Sequence, residues 1–227
     1  RKDLFNKELF LQIFKEPRAV TKTLKLMNNL GVLGRVLPVF RAIVGQMQHD
    51  LFHVYTVDQH TLQVIQNIER FTQQEHAHEF PKCSELMSEF NGHWKLYLAA
   101  LFHDIGKGRG GDHSELGATE AINFSKNFNL KKNDSDLIQF LVRHHLAMSQ
   151  LAQKEDIDDP KTTEKFSAKV QTKEKLIALY LLTVADIRGT SPKVWNNWKG
   201  KLLEKLFINT LSTIDREEAI SLSLIHI

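Results

Sequence analysis

The chain has 227 residues, 42% apolar and 25% charged, the profile of a globular protein large enough to bury a real core. A formal net charge of +3, from 30 basic and 27 acidic side chains, is too small to argue for a nucleic-acid surface, and no apolar run is long enough to suggest a membrane span. The lone cysteine, Cys83, excludes a disulfide framework and favours a reducing, cytoplasmic setting.

The opening RKDLFNKELF is charged and amphipathic and does not read as a signal peptide. The chain starts without Met, stops after SLSLIHI, and is expected to be part of something longer. Strand signals are scarce, and apolar residues recur at threes and fours nearly throughout, which predicts an all-α fold. RKDLFNKELFLQIFK is a first helix, ended or kinked by Pro17, and RAVTKTLKLMNN a second, closed by Gly31. A short piece, LGRVLPVFRAIVGQ, contains Pro38. The next helix is expected from Thr56, where T-V-D-Q reads as a capping box with Gln59 three residues on. Residues 72–92 are polar, broken by Pro81 and Gly92, and an apolar helix over 93–105 follows. Asp112, with Glu115 three on, is expected to cap a helix ending near Lys126. DSDLIQFLVRHHLAMSQLAQ predicts one helix capped by Asp134 or Ser135. Residues 153–172 are mostly polar, include Pro160, and read as a loop or lid. KEKLIALYLLTVADIRG is a strongly apolar helix stopped by Gly189 and Pro192, and VWNNWKGKLLEKLFINTL forms a last long one.

Several residues do not fit a plain core. LYLAALF delivers His103 and Asp104 to a glycine-rich turn that also carries Lys107 and Arg109, and then Asp112 and His113. A carboxylate beside so many apolar neighbours is costly unless it is paired, hydrogen-bonded or bound to a metal. It also sits at the wrong end of a helix dipole, an objection that an adjacent cation would remove. Asp186 repeats the oddity inside LIALYLLTVADI, where a salt bridge to Arg188 or Arg143 is the plainer alternative. His60 lies on the apolar stripe of Val64, Ile68 and Phe71, where a core histidine is the plainer alternative. His144 and His145 are adjacent, so one can point inward while the other lies at the edge. His113 stands at a helix start. The two acids make sense if both meet one divalent ion, which His103 could share, while His113 with His144 or His145 suggests a second, bridged by Asp104 or a water. Imidazole and carboxylate without thiolate suit Mn²⁺ first, with Fe, Zn²⁺ or Mg²⁺ as alternatives. Asp104 is expected to orient the attacking water, and Lys107, Arg109 and Arg188 to clamp a phosphate, against an ordinary role as surface charges. His49, His53, His76, His78 and His93 lack matching context, and Trp94, Trp195 and Trp198 read as packing anchors.

The order His60, His103-Asp104, Asp186 on helices resembles the HD superfamily of metal-dependent phosphohydrolases. The flanks LFHVYTVDQHTL, LAALFHDIGKGRGGDHSELGA, LVRHHLAMSQLAQKEDIDDP and LLTVADIRGTSPKVWNNWK resemble the central region of the bifunctional uridylyltransferase/uridylyl-removing enzymes. The resemblance implies an HD-type helical bundle with additional N-terminal helices. It divides the chain into a helical linker or packing region at 1–45, an HD phosphohydrolase domain at 46–205 and a C-terminal segment at 206–227. It implies removal of UMP from a tyrosine of the PII signalling protein, with nucleotidyltransferase and ACT domains adjacent in the longer protein. By the family pattern the ligands are His60, His103, Asp104 and Asp186, with His113 and one or both of His144 and His145 for a second ion. Other readings are an alarmone or nucleotide phosphohydrolase, or a non-catalytic scaffold that binds PII and nucleotide.

Overall fold

The computed structural model describes residues 2–16, 18–47, 54–191 and 193–225. The expected breaks at Pro17 and Pro192, and the histidines at 49 and 53, lie outside the described residues. The described residues form twelve α-helices and no strand: α1 (Lys2–Lys15), α2 (Val20–Asn29), α3 (Leu33–Val36), α4 (Val57–Phe71), α5 (Pro81–Glu89), α6 (His93–Phe102), α7 (His113–Asn127), α8 (Lys132–His144), α9 (Ala147–Lys154), α10 (Pro160–Val170), α11 (Lys173–Thr190) and α12 (Asn197–Ile225). Two 3-10 helices, Pro38–Ile43 and Gln74–His76, and one isolated bridge between Met47 and Thr56 complete the description.

The centre is α11, buried from Leu176 through Ala185. A helix apolar all round has no face to offer water and must be surrounded. Helices α4, α6, α8, α9 and α12 pack against it. α6 is buried from Lys95 through Phe102 for the same reason, with the Lys95 ammonium reaching out to Glu174 Oε1 at 2.8 Å. Two glycines set the close approaches that the site needs. A Cβ on Gly189 would lie 2.9 Å from Val64 Cγ2 and 3.5 Å from His60 Nδ1, so glycine lets α11 cross α4 at the level of the histidine. A Cβ on Gly106 would lie 2.6 Å from the His113 carbonyl oxygen, so glycine lets the turn after α6 press on the start of α7.

The N-terminal helices are tied to α4 by two buried acids. Glu69 accepts hydrogen bonds from the Val20 and Thr21 amides at 3.0 and 3.1 Å, closing the first turn of α2. Asp58 accepts from Asn28 Nδ2 at 2.8 Å and from the Gly45 amide at 3.0 Å.

Several local expectations are corrected. Thr56 is the N-cap residue of α4 in extended backbone, but its hydroxyl makes no capping bond. α6 ends at Phe102, so His103 and Asp104 stand on the following turn. α8 begins at Lys132, ahead of both proposed caps, and the single helix expected over 134–153 breaks at His145 and Leu146 into α8 and α9. The expected loop at 153–172 is largely α10: Asp159 accepts from the Lys161 amide at 2.9 Å, and Pro160 takes the first helical position, where a missing N–H costs nothing. Phe166 and Val170 bury one face of α10, which packs on α12. Asp112 caps α7 as expected, accepting from the Ser114 amide at 2.8 Å, while Glu115 turns instead to Arg143 Nε. Trp198 is 64% exposed and anchors nothing.

Candidate metal centre

Five elements meet at Asp104. The turn after α6 supplies His103 and Asp104, α4 supplies His60, α11 supplies Asp186, and α7 and the α8–α9 turn supply His113 and His145. His60, His103, Asp104 and His145 are each at most 1% exposed. The two oxygens of Asp104 face different groups. Oδ2 lies 3.3 Å from His103 Nε2, 3.5 Å from His60 Nε2 and 2.6 Å from Lys107 Nζ. Oδ1 lies 3.6 Å from His113 Nε2 and 3.8 Å from His145 Nε2. Asp186 Oδ1 is 3.0 Å from His60 Nε2 and 3.7 Å from His103 Nε2.

The outer nitrogens of two rings are fixed from behind. His103 Nδ1 lies 2.7 Å from the Ala100 carbonyl and His145 Nδ1 lies 2.8 Å from the Val142 carbonyl. A carbonyl can only accept, so each Nδ1 carries the proton and each Nε2 is aimed at Asp104. Among the described residues, the buried Asp104 Oδ1 and His113 Nε2 have no hydrogen-bond partner. Buried acceptors left in this way are expensive, and a cation between them would satisfy both. Two groups could each hold an ion, with ligand atoms all within 4.8 Å of one another: His60, His103 and Asp104, and then Asp104, His113 and His145. The donor set of imidazole nitrogens and carboxylate oxygens fits a divalent first-row ion.

The charges oppose one another. Burial disfavours a charge on His103, but the adjacent Asp104 carboxylate, and then Asp186, outweigh it and raise its pKa to about 9. Burial would raise Asp104, yet His103, Lys107 and His60 hold it well below the usual carboxylate range. Burial likewise acts against Asp186, while hydrogen bonding to His60 and the charge of His103 bring it to about 2. Burial, and then repulsion from His103, push His145 down to about 4, so it is neutral at physiological pH.

A family model described as HD domain matches residues 57–188, the span that contains every one of these side chains. The chain belongs to the HD domain family. A second model, described as uridylyltransferase GlnD third domain, matches residues 1–36. The chain is 59% identical, over 214 residues, to the bifunctional uridylyltransferase/uridylyl-removing enzymes of Bordetella pertussis and Cupriavidus metallidurans. It is 58% identical to that of Burkholderia vietnamiensis. Those 214 residues are 94% of this chain and 25% of each relative, so the chain spans about a quarter of the length of the curated relatives it matches.

Within the HD domain, the structure brings together His60, His103, Asp104, Lys107, His113, His145 and Asp186. It leaves three expected residues out. His144 stands half-buried with its ring 4.9 Å from that of Phe140, because the turn that aims His145 inward carries its neighbour to the edge. Arg109 pairs with Glu120 at 2.7 Å on the surface of α7. Arg188 is two residues past Asp186, so it leaves α11 on a different face. Its guanidinium lies 3.9 Å from the Phe80 ring centroid and 5.3 Å from that of Trp195, in a separate cavity of about 300 Å³. Neither arginine suggested as a partner for Asp186 pairs with it, since Arg143 is held by Glu115.

A cavity of about 370 Å³ opens above the cluster. Besides Asp104, Lys107, His113, His145 and Asp186, its lining includes Ser149, Gln153 and Lys199, which the sequence reading did not single out. The first two stand three and seven residues beyond Leu146, a one-face spacing that carries no mark of function in the sequence.

Proposed function

We propose that the HD domain removes UMP from a tyrosine of the PII signalling protein by metal-dependent phosphodiester hydrolysis. The observation that carries this reading is the position of Asp104, with one oxygen toward His60 and His103 and the other toward His113 and His145. A carboxylate so placed suits a bridge between two ions. His60, His103, Asp104 and Asp186 would hold the first, His113, Asp104 and His145 the second, with Mn²⁺ the preferred occupant for this donor set. Such ions supply Lewis acidity and a water acidic enough to be deprotonated near neutral pH.

The chain's own residues do the rest. Lys107 Nζ, 2.6 Å from Asp104 and lining the cavity, is placed to offset negative charge on the phosphoryl oxygens. His113 is half-buried at the cavity wall with its Nε2 3.6 Å from Asp104 Oδ1, where both could face one cation. A tyrosine phenolate, with a pKa of about 10, leaves readily once such a cation stabilises it, so no strong protein acid is needed. In the longer protein a nucleotidyltransferase domain would flank this part, in keeping with the uridylyltransferase in its relatives' names, and ACT domains would follow as the sequence resemblance implies. Among the described residues, no helix is long and apolar enough to cross a membrane.

The test is to incubate the chain with uridylylated PII and Mn²⁺ and follow UMP release. Release that is lost in Asp104→Ala supports the reading. No release with any divalent ion, together with cleavage of a guanosine alarmone, overturns the substrate. Tight PII binding without hydrolysis of any diester favours a scaffold instead.

A further inference from the structure

The cavity above Asp104 has two chemically different ends. The inner end is charged, with Asp104, Lys107, His113, His145 and Asp186 around it. The outer end lies between α9 and the turn that precedes α12. It is lined by Leu146, Ser149 and Gln153 on one side and by Ile187, Thr190, Val194 and Lys199 on the other, with the one cation, Lys199, turned to the Val194 carbonyl. Ser149 and Gln153 stand three and seven residues beyond Leu146, the spacing of one helical face. The opposite wall is held in place, because Lys199 Nζ donates to the Val194 carbonyl at 2.9 Å and the Lys199 amide donates to Asn196 Oδ1 at 2.8 Å.

The polar groups of the outer end have defined roles. Ser149 Oγ donates its proton to the Leu146 carbonyl at 3.0 Å, so toward the cavity it can only accept. Gln153 brings an amide with both a donor and an acceptor. Apolar walls with an acceptor and a neutral amide between them match a planar heterocycle that carries a ring N–H beside a ring carbonyl. A tyrosyl ring is a poorer match. Once its oxygen is esterified to phosphorus, it offers no second polar atom, and the Gln153 amide would face carbon.

We propose that the outer end is a pyrimidine-base subsite, in which Ser149 Oγ accepts from the ring N3–H and the Gln153 amide pairs with the adjoining carbonyl. The inference rests on the phosphodiesterase reading, which places the phosphate at the inner end. It makes Ser149 and Gln153 specificity residues that take no part in the bond cleavage.

Three diesters test it with the Mn²⁺-loaded chain: uridine 5′-(4-nitrophenyl phosphate), its 3-methyluridine analogue, and bis(4-nitrophenyl) phosphate, which has no base. UMP and 3-methyl-UMP affinities are measured in parallel by calorimetry. For Gln153→Ala, the ratio of kcat/KM on the uridine ester to that on the base-free diester should fall about tenfold, and UMP affinity should fall by a similar factor. The parent should discriminate against the 3-methyl compounds, and Ser149→Ala should narrow that discrimination. A proportional loss on all three diesters, or an unchanged ratio with unchanged UMP affinity, overturns the subsite. Failure of the parent to cleave any diester strikes the hydrolase reading instead, and the UMP affinities of the two variants still decide the subsite.

Discussion

Glu69, near the end of α4, and Asp104, after α6, are both carboxylates the fold has removed from water, at 6% and 1% exposure. Glu69 meets backbone donors: two amides that α2 cannot satisfy for itself take one oxygen each. Both sides of that contact are matched, and nothing further is required. Asp104 meets imidazoles aimed at it from several directions, with one oxygen left without a hydrogen-bond partner. The first carboxylate joins two helices. The second faces side chains that could hold a cation together with it. Burial alone therefore does not mark a functional acid, but the kind of group facing it does.

The sharpest way to break that contrast is to exchange the consequences. Asp104→Ala should lower kcat/KM on a metal-dependent diester assay by at least about a thousandfold. It should also abolish the rise in Tm that Mn²⁺ gives the parent. Comparable activity in this variant would place the chemistry elsewhere. Glu69→Ala should do the reverse, costing about 3 kcal/mol in urea unfolding because two buried amides lose their partner. Its Mn²⁺-dependent rise in Tm should survive. A Glu69 variant that keeps full stability would mean water has replaced the carboxylate.

The third test uses the proton that His103 holds in the metal-free protein. Its folded pKa of about 9 lies above the ordinary value of 6.5. The stability it contributes is fully present below pH 6.5 and is lost as pH rises through about 9. A cation must displace that proton, so Mn²⁺ affinity should rise about tenfold per pH unit across the same window and level off above it. His145, already neutral above about pH 4, should add no slope there. Titration calorimetry in buffers of different ionisation enthalpy reads the proton count directly, and a flat pH profile would remove His103 from the ligand set. The smallest effect belongs to Arg109→Ala. A surface pair with Glu120 is worth under about 0.5 kcal/mol, so both Tm and kcat/KM should stay close to the parent.

Much of the centre was legible in the chain. Asp104 and Asp186 interrupt apolar runs that have no reason to contain an acid, and the strength of those runs is what buries α6 and α11 around them. His60 follows from its place on the apolar stripe of α4. The choice between His144 and His145 was not legible, because it depends on a turn inside what reads as one uninterrupted helical pattern. Arg109 and Arg188 show the limit of sequence proximity, since a few residues, of turn for Arg109 and of helix for Arg188, are enough to carry a side chain onto another surface. α10 was missed because its face toward α12 rests on few apolar residues, Phe166 and Val170 among them, and its Asp159-Pro160 start looks like a break. Glu69 and Asp58 left no mark at all, since a carboxylate on an amphipathic helix reads as solvated until its distant backbone partners are known.

The contact between Lys107 and Asp104 gives the centre a provisional counter-ion of its own. With His103 protonated as well, the carboxylates of Asp104 and Asp186 are neutralised from within before any metal arrives. Loading is then an exchange of cations inside a finished scaffold, unlike the small zinc modules that collapse when stripped. A chelator should empty the centre without melting a helix, and the emptied protein should be reloadable with whichever divalent ion is supplied.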